Sequence, residues 1–265
     1  MPTPSLHRRQ LLAAALSLGG WGAAHADEFE GDPYRSHVWI DMRREYLAGE
    51  RVVYDERVQV QAPAFAEDPM NVPVSVRVDP ALGRVERILV LVDRNPIKRV
   101  VSFEPLTALP SIALRFKLEQ ASPVRAAART SDGVWHVGGT LVDSAGGGCT
   151  VSGDSRKDGS WSRTLGELSG RVFPMEGEGA STPVARLRLR VMHPMDTGLV
   201  GGVPAFFVNR LSVQDVQGRE LARLQAYEPV SENPVFSVDF AVPPPGGVRI
   251  VGADNNGNRI EGRLP

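Results

Sequence analysis

Along most of the chain, apolar and polar residues alternate one for one. Val72, Val74, Val76 and Val78 are separated by Pro73, Ser75 and Arg77, and Ile112, Leu114, Phe116 and Leu118 by Ala113, Arg115 and Lys117. Leu187, Leu189 and Val191 are interleaved with Arg186, Arg188 and Arg190, and Phe236, Val238, Phe240 and Val242 share another such face. A period of two sends one set of side chains into a core and the other into solvent, so these runs predict antiparallel strands with one buried face. The continuous apolar run RILVLV (87–92) predicts a more central strand. VRIVGADNNGNRIEGRL reads as a hairpin, with Asn256-Gly257 supplying a tight turn of positive φ.

One stretch follows a different rhythm. In DPYRSHVWIDMRREYLAGE, Val38, Met42 and Tyr46 recur every four residues with Trp39 beside them, and Ala48-Gly49 can close the resulting short helix. Between two strand-rich halves runs DSAGGGCTVSGDSRKDGSWSR (143–163), rich in glycine, serine and charge and without an apolar period; it predicts a flexible linker. Short strands divided by Pro- and Gly-rich turns indicate an all-β protein. The expected architecture is two immunoglobulin-like β-sandwiches, 53–142 and 164–265, joined by the Gly-rich linker and preceded by a helical segment, 27–52.

The amino terminus adds a destination. Arg8 and Arg9, an apolar run from Leu11 to Leu18, and Ala24-His25-Ala26 succeed one another in the order of a cleavable export leader, residues 1–26. Adjacent arginines predict the twin-arginine route to the bacterial periplasm. The apolar run falls far short of the roughly 20 residues that cross a bilayer, so no membrane span is expected. With 30 basic against 31 acidic side chains, nothing in the charge points to nucleic acid or an anionic membrane surface.

Composition alters the picture through one residue. Cys149 is the chain's single cysteine, so in an oxidising compartment it is either a free reactive thiol or half of an intermolecular bond, a dimer through Cys149 included. Gly146, Gly147 and Gly148 before it and Gly153 after it predict a slack arm able to enter a partner's pocket. Such an arm lacks the fixed histidine and oxyanion donors of hydrolytic catalysis and suits a covalent carrier, with tethering raising the effective concentration at a docked enzyme. The alternative is a cysteine that merely packs as a small hydrophobe.

Other candidates are weaker. His193 opens HPMDTG, where Pro194 cannot donate to a ladder and Asp196-Thr197-Gly198 is turn chemistry, so a structural role is expected. His37 and His136 lie far apart and no pair has metal-ligand spacing, which leaves no zinc, c-type haem or other cofactor expected. GGTLVDSAGGG lacks the Lys and Ser/Thr of a phosphate loop. The stripe Arg186, Arg188, Arg190 reads as a solvated strand face in preference to an anion-binding ladder.

The first half resembles SoxY, the thiol-bearing subunit of the bacterial sulfur-oxidation carrier. The residues that carry the resemblance are MNVPVSVRVD, the run from VERILVLVDRNPIKRVVSFEP to SPVRAAART, and GGGCTVSG. The second half resembles its partner SoxZ through LRLRVMHPMDTG (187–198), NRLSVQDVQGREL and SENPVFSVDF. Together they look like a SoxY–SoxZ fusion, closest to single-chain SoxYZ-like carriers associated with quinoprotein dehydrogenases. The resemblance implies a periplasmic carrier, not an enzyme, that holds a sulfur-containing intermediate on Cys149. Its implied partners are sulfur-oxidation enzymes, or a quinoprotein dehydrogenase or cytochrome. Cys149 corresponds to the thiol of the SoxY GGCGG arm, and Gly147 and Gly148 to the glycines before it; Thr150 and Val151 replace the two after it. A non-covalent adaptor with an incidental thiol is the other reading.

Overall fold

The computed structural model describes residues 29–175 and 184–265, so the leader expected over 1–26 lies outside the described residues. Helix α1 (His37–Tyr46) leads into β1 (Val52–Tyr54), β2 (Val58–Gln61), β3 (Phe65–Ala66), β4 (Val72–Val78), β5 (Val85–Val92), β6 (Arg99–Glu104), β7 (Ser111–Phe116), β8 (Ser122–Thr130) and β9 (Trp135–Ser144). Two short helices, α2 (Asp154–Asp158) and α3 (Trp161–Thr164), precede β10 (Leu168–Pro174), β11 (Ala185–Val191) and β12 (Val208–Gln214). The chain ends with β13 (Glu220–Ala226), β14 (Val235–Phe240), β15 (Val248–Asp254) and β16 (Arg259–Leu264). The protein is mostly β, as the alternation predicts, and no helix among the described residues is long and apolar enough to cross a membrane.

Both sheets run through both halves of the chain. One is ordered β1-β9-β8-β5-β6-β13-β12-β15-β16, with β3 also on β9; the other is ordered β10-β11-β14-β7-β4-β2. The halves join where β6 pairs with β13 (Phe103 opposite Leu224) and where β7 pairs with β14 (Ile112 opposite Val238). The inward residues of the two sheets therefore build a single core, in which Phe103, Phe116 and Leu118 from the first half meet Leu189, Leu224 and Phe236 from the second. The sandwich architecture holds, but the joint is strand pairing in place of a slack tether, and beside the two ladders Phe116 bridges to Val230 and Lys117 N donates to the Pro229 carbonyl.

The central run is buried on both faces for a visible reason. β5 turns Ile88, Val90 and Val92 toward the sandwich and Leu89 and Leu91 outward, where α1 covers them with Trp39, Met42 and the following Leu47. The helix buries Trp39 and Met42 and exposes Val38, so its apolar stripe is shifted by one residue from the expected Val38–Met42 line. Burying Trp39 and Met42 is worth about 2–3 kcal/mol each.

The segment before the helix is tied down by charge. Arg125 on β8 is fully buried; its guanidinium meets Asp93 at 2.8 Å and Asp32 at 2.6 Å, both carboxylates also fully buried, and it stacks on Trp39 at 4.3 Å. Removing one member of a buried ionic cluster leaves uncompensated charge in a dry site, which costs about 3–5 kcal/mol. Arg125→Met should therefore lower stability by about 3–5 kcal/mol in urea denaturation, whereas a surface arginine such as Arg259 should cost under about 0.5 kcal/mol.

Candidate functional site

Residues 145–153, between β9 and α2, lie as a strap along the seam between the halves. The slack arm expected here is not what the structure shows. Cys149 is 1 % exposed, and its neighbours are held by specific bonds. Gly147 N donates to the Glu119 carbonyl at 3.1 Å, Gly148 N to the Leu118 carbonyl at 3.2 Å, and Cys149 N to Glu119 Oε2 at 2.8 Å. The glycines serve close approach in place of freedom. A Cβ on Gly148 would stand 2.2 Å from the Pro69 carbonyl oxygen, and one on Gly153 would stand 2.4 Å from Glu232 Oε2. Gly146 and Gly147 turn the chain into this slot at φ +92° and +87°.

The floor of the slot comes from the end of β7. Alternation places Lys117 in solvent, yet it is 1 % exposed. The strand stops at Phe116, and the next two amides leave the ladder: Lys117 N donates to the Pro229 carbonyl and Leu118 N to the Pro69 carbonyl. Buried Asn95 fixes this bend, donating to the Lys117 carbonyl at 2.7 Å and accepting from Glu119 N at 2.8 Å. The Cys149 thiol points at the same Lys117 carbonyl at 3.6 Å.

The lid of the slot comes from the second half. Thr197 Oγ1 donates to the Cys149 carbonyl at 2.7 Å, and Lys117 Nζ donates to the Met195 carbonyl. Thr197 and Met195 belong to HPMDTG, so the motif clamps the strap from above. His193 shapes this loop, as its sequence context predicts. It is buried, its Nδ1 accepts from Met195 N at 3.1 Å, and its ring packs on Phe206. Its Nε2 faces Asp254 Oδ2 at 3.5 Å, too far for a good hydrogen bond, and is otherwise without a partner. Asp196 is held by Arg156 of α2. His136 binds Asp55 at 2.8 Å on the far sheet edge, and no group of three His, Cys, Asp or Glu among the described residues is placed to hold a metal ion.

The electrostatics keep the thiol protonated. Burial, aided by the Glu119 carboxylate, pushes Cys149 up to about 12, against the opposing pull of Lys117. Burial also lowers the Lys117 ammonium below its usual range. Lys117, Glu119 and Thr197 are the site residues that sequence reasoning missed, since strand alternation assigned Lys117 to solvent and nothing linked Thr197 to a cysteine 48 residues earlier.

Residues 43–149 match the family described as sulfur oxidation protein SoxY, ending at Cys149 itself, and residues 176–265 match the family described as sulphur oxidation protein SoxZ. The chain is a SoxY–SoxZ fusion. Among solved structures it is similar to the sulfur carrier protein SoxY from Chlorobium limicola f thiosulfatophilum. The two are 19% identical with a TM-score of 0.37, over 40% of this chain and 96% of that one. No curated protein matches the chain. In this fusion the SoxY part supplies the thiol and the slot, and the SoxZ part supplies the clamp.

The clamp carries a pH dependence. Burial lowers His193 to about 4 in the folded chain, against 6.5 for a free imidazole. The unfolded chain then binds more protons between those values, so stability is complete above about pH 6.5 and falls as the pH drops through 4, by roughly 3 kcal/mol in total. His193→Asn should flatten that part of the urea-stability profile while leaving the loss below pH 4 intact.

Proposed function

We propose that this chain is a periplasmic carrier of sulfur oxidation that holds its intermediate covalently on the Cys149 thiol and presents it to partner oxidoreductases. The observation that carries this reading is the position of the only cysteine: it is the last residue of the SoxY match, and both halves grip it. The chain acts by presenting cargo, and the chemistry on that cargo belongs to its partners.

Because the thiol is shut in, carriage requires the strap to open. The strap is held by hydrogen bonds to Glu119, Leu118 and Thr197, each worth roughly 1 kcal/mol net, and no regular ladder secures it. Opening it is a local event, well below the cost of global unfolding. Opening also activates the sulfur. A thiol released from about 12 to its ordinary 9.0 gains about a thousandfold in thiolate fraction at neutral pH. Loading a sulfur-containing cargo then forms one S–S bond: Cys149–SH and HS–R give Cys149–S–S–R, two protons and two electrons. The electrons pass to the redox centre of the docked oxidoreductase.

Burial of the thiol also favours a second reading, in which the sandwich is a non-covalent adaptor for a quinoprotein dehydrogenase or cytochrome. The two readings part at one substitution. Under the carrier reading, Cys149→Ala abolishes sulfur-oxidation flux in cells while the purified protein still unfolds in one cooperative transition, lowered only modestly by loss of the buried sulfur. Unchanged flux assigns the adaptor role. In the purified wild-type chain, maleimide should label Cys149 slowly, and Thr197→Val should speed labelling about 5–10-fold by removing one clamp bond worth about 1 kcal/mol.

A further inference from the structure

The outer face of the six-stranded sheet holds a feature that the carrier reading leaves unused. A groove of about 680 Å³ opens between that sheet and the helical segment following the strap, and Arg115, Arg188 and Arg190 line it. None of the three has a carboxylate partner among the described residues, whereas the neighbouring Arg186 is paired with Asp239 at 2.6 Å. Register makes the arrangement costlier. Arg188 lies directly opposite Arg171 on β10, a like-charge cross-strand pair that is destabilising unless an anion intervenes.

The wall facing the arginines is rich in hydroxyls. Ser155 and Ser160 line the groove from the helical side and Ser169 from β10. Ser155 is only 8 % exposed, and its Oγ has no hydrogen-bond partner. Two carboxylates also border the groove, and each is already engaged. Asp154 pairs with Lys157 at 3.1 Å, and Glu232 accepts from Asp154 N at 2.8 Å and Ser155 N at 2.7 Å. Three guanidinium groups without a carboxylate partner face serine hydroxyls that can donate, while both bordering carboxylates are engaged elsewhere; that arrangement complements a small oxygen-rich anion.

We infer that this groove is a binding site for a small oxyanion, of the sulfate or sulfonate type, bridging the arginines of the sheet to the serines beyond the strap. The site is separate from the thiol and does not depend on covalent carriage. Asp154 and Ser155 of α2, the helix that follows the strap, border the groove, so an anion bound there holds α2 against the sheet.

Calorimetric titration of the full chain with sodium sulfate, at ionic strength held constant with sodium chloride, tests this directly. The expected result is saturable binding of about one sulfate per chain, weakened at least tenfold in the double variant Arg188→Ala/Arg190→Ala. Both residues are exposed and Arg188 faces Arg171, so the anion-free variant should melt no lower than the wild type, and its melting curve serves as the folding control. Equal affinity in wild type and variant, or no heat beyond that of chloride, overturns the site. Binding of a hexaglutamate peptide that is sensitive to the variant, with no sulfate binding, also overturns it and marks the face as a protein-docking surface. Sulfate binding retained in Cys149→Ala would show that the site stands apart from the thiol.

Discussion

The absence of a side chain at residue 148 is the constraint on which the rest of the site depends. With a hydrogen in place of Cβ, the backbone can lie against the Pro69 carbonyl and the Leu118 peptide. That approach brings Gly147 N and Gly148 N within bonding distance of the turn after β7 and carries Cys149 beneath the HPMDTG loop. Any other residue there would meet backbone atoms that cannot yield, because Asn95 and the Pro229 carbonyl fix the same turn. The glycines around Cys149 therefore store the thiol in a closed position.

Storage of this kind needs both halves at once. The slot belongs to the SoxY part and the clamp to the SoxZ part, and the pairing of β6 with β13 and β7 with β14 holds one in register with the other. Lys117 crosses the seam, its stem buried in the first half and its ammonium on the Met195 carbonyl of the second. A covalent connection between the parts fixes their stoichiometry, and the connecting segment becomes structural: it carries the thiol, α2 and α3 while passing from one part to the other. Closure has chemical consequences too, since burial, with the Glu119 carboxylate beside it, holds the sulfur in its unreactive protonated form.

Much of the architecture was legible from alternation because a period of two is a direct consequence of sheet geometry. Val72 to Val78, Leu187 to Val191 and Phe236 to Phe240 bury the residues their pattern assigns to the core. The pattern failed where strands end. Lys117 follows the last residue of β7 and turns inward, and Val242 lies beyond the end of β14 and is 74 % exposed. The 143–163 segment was misread for a related reason. Glycine and serine are ambiguous in sequence, since they serve both a chain that must move and a chain that must pass close to another backbone. Only the neighbouring atoms distinguish the two. The buried ionic cluster of Arg125, Asp32 and Asp93 was equally hidden, its members standing 93 and 32 residues apart.

The central claim is that the strap is ordered at rest and opens without unfolding the sandwich. Native-state hydrogen exchange at the amides of Gly147, Gly148 and Cys149, compared with β5 and β14 in the core, measures it most directly. The account predicts protection that is clear but several kcal/mol below that of the core, with weak dependence on denaturant, as for a local opening. Amides of the strap that exchange as freely as an unstructured peptide, or that exchange only with global unfolding, would contradict it.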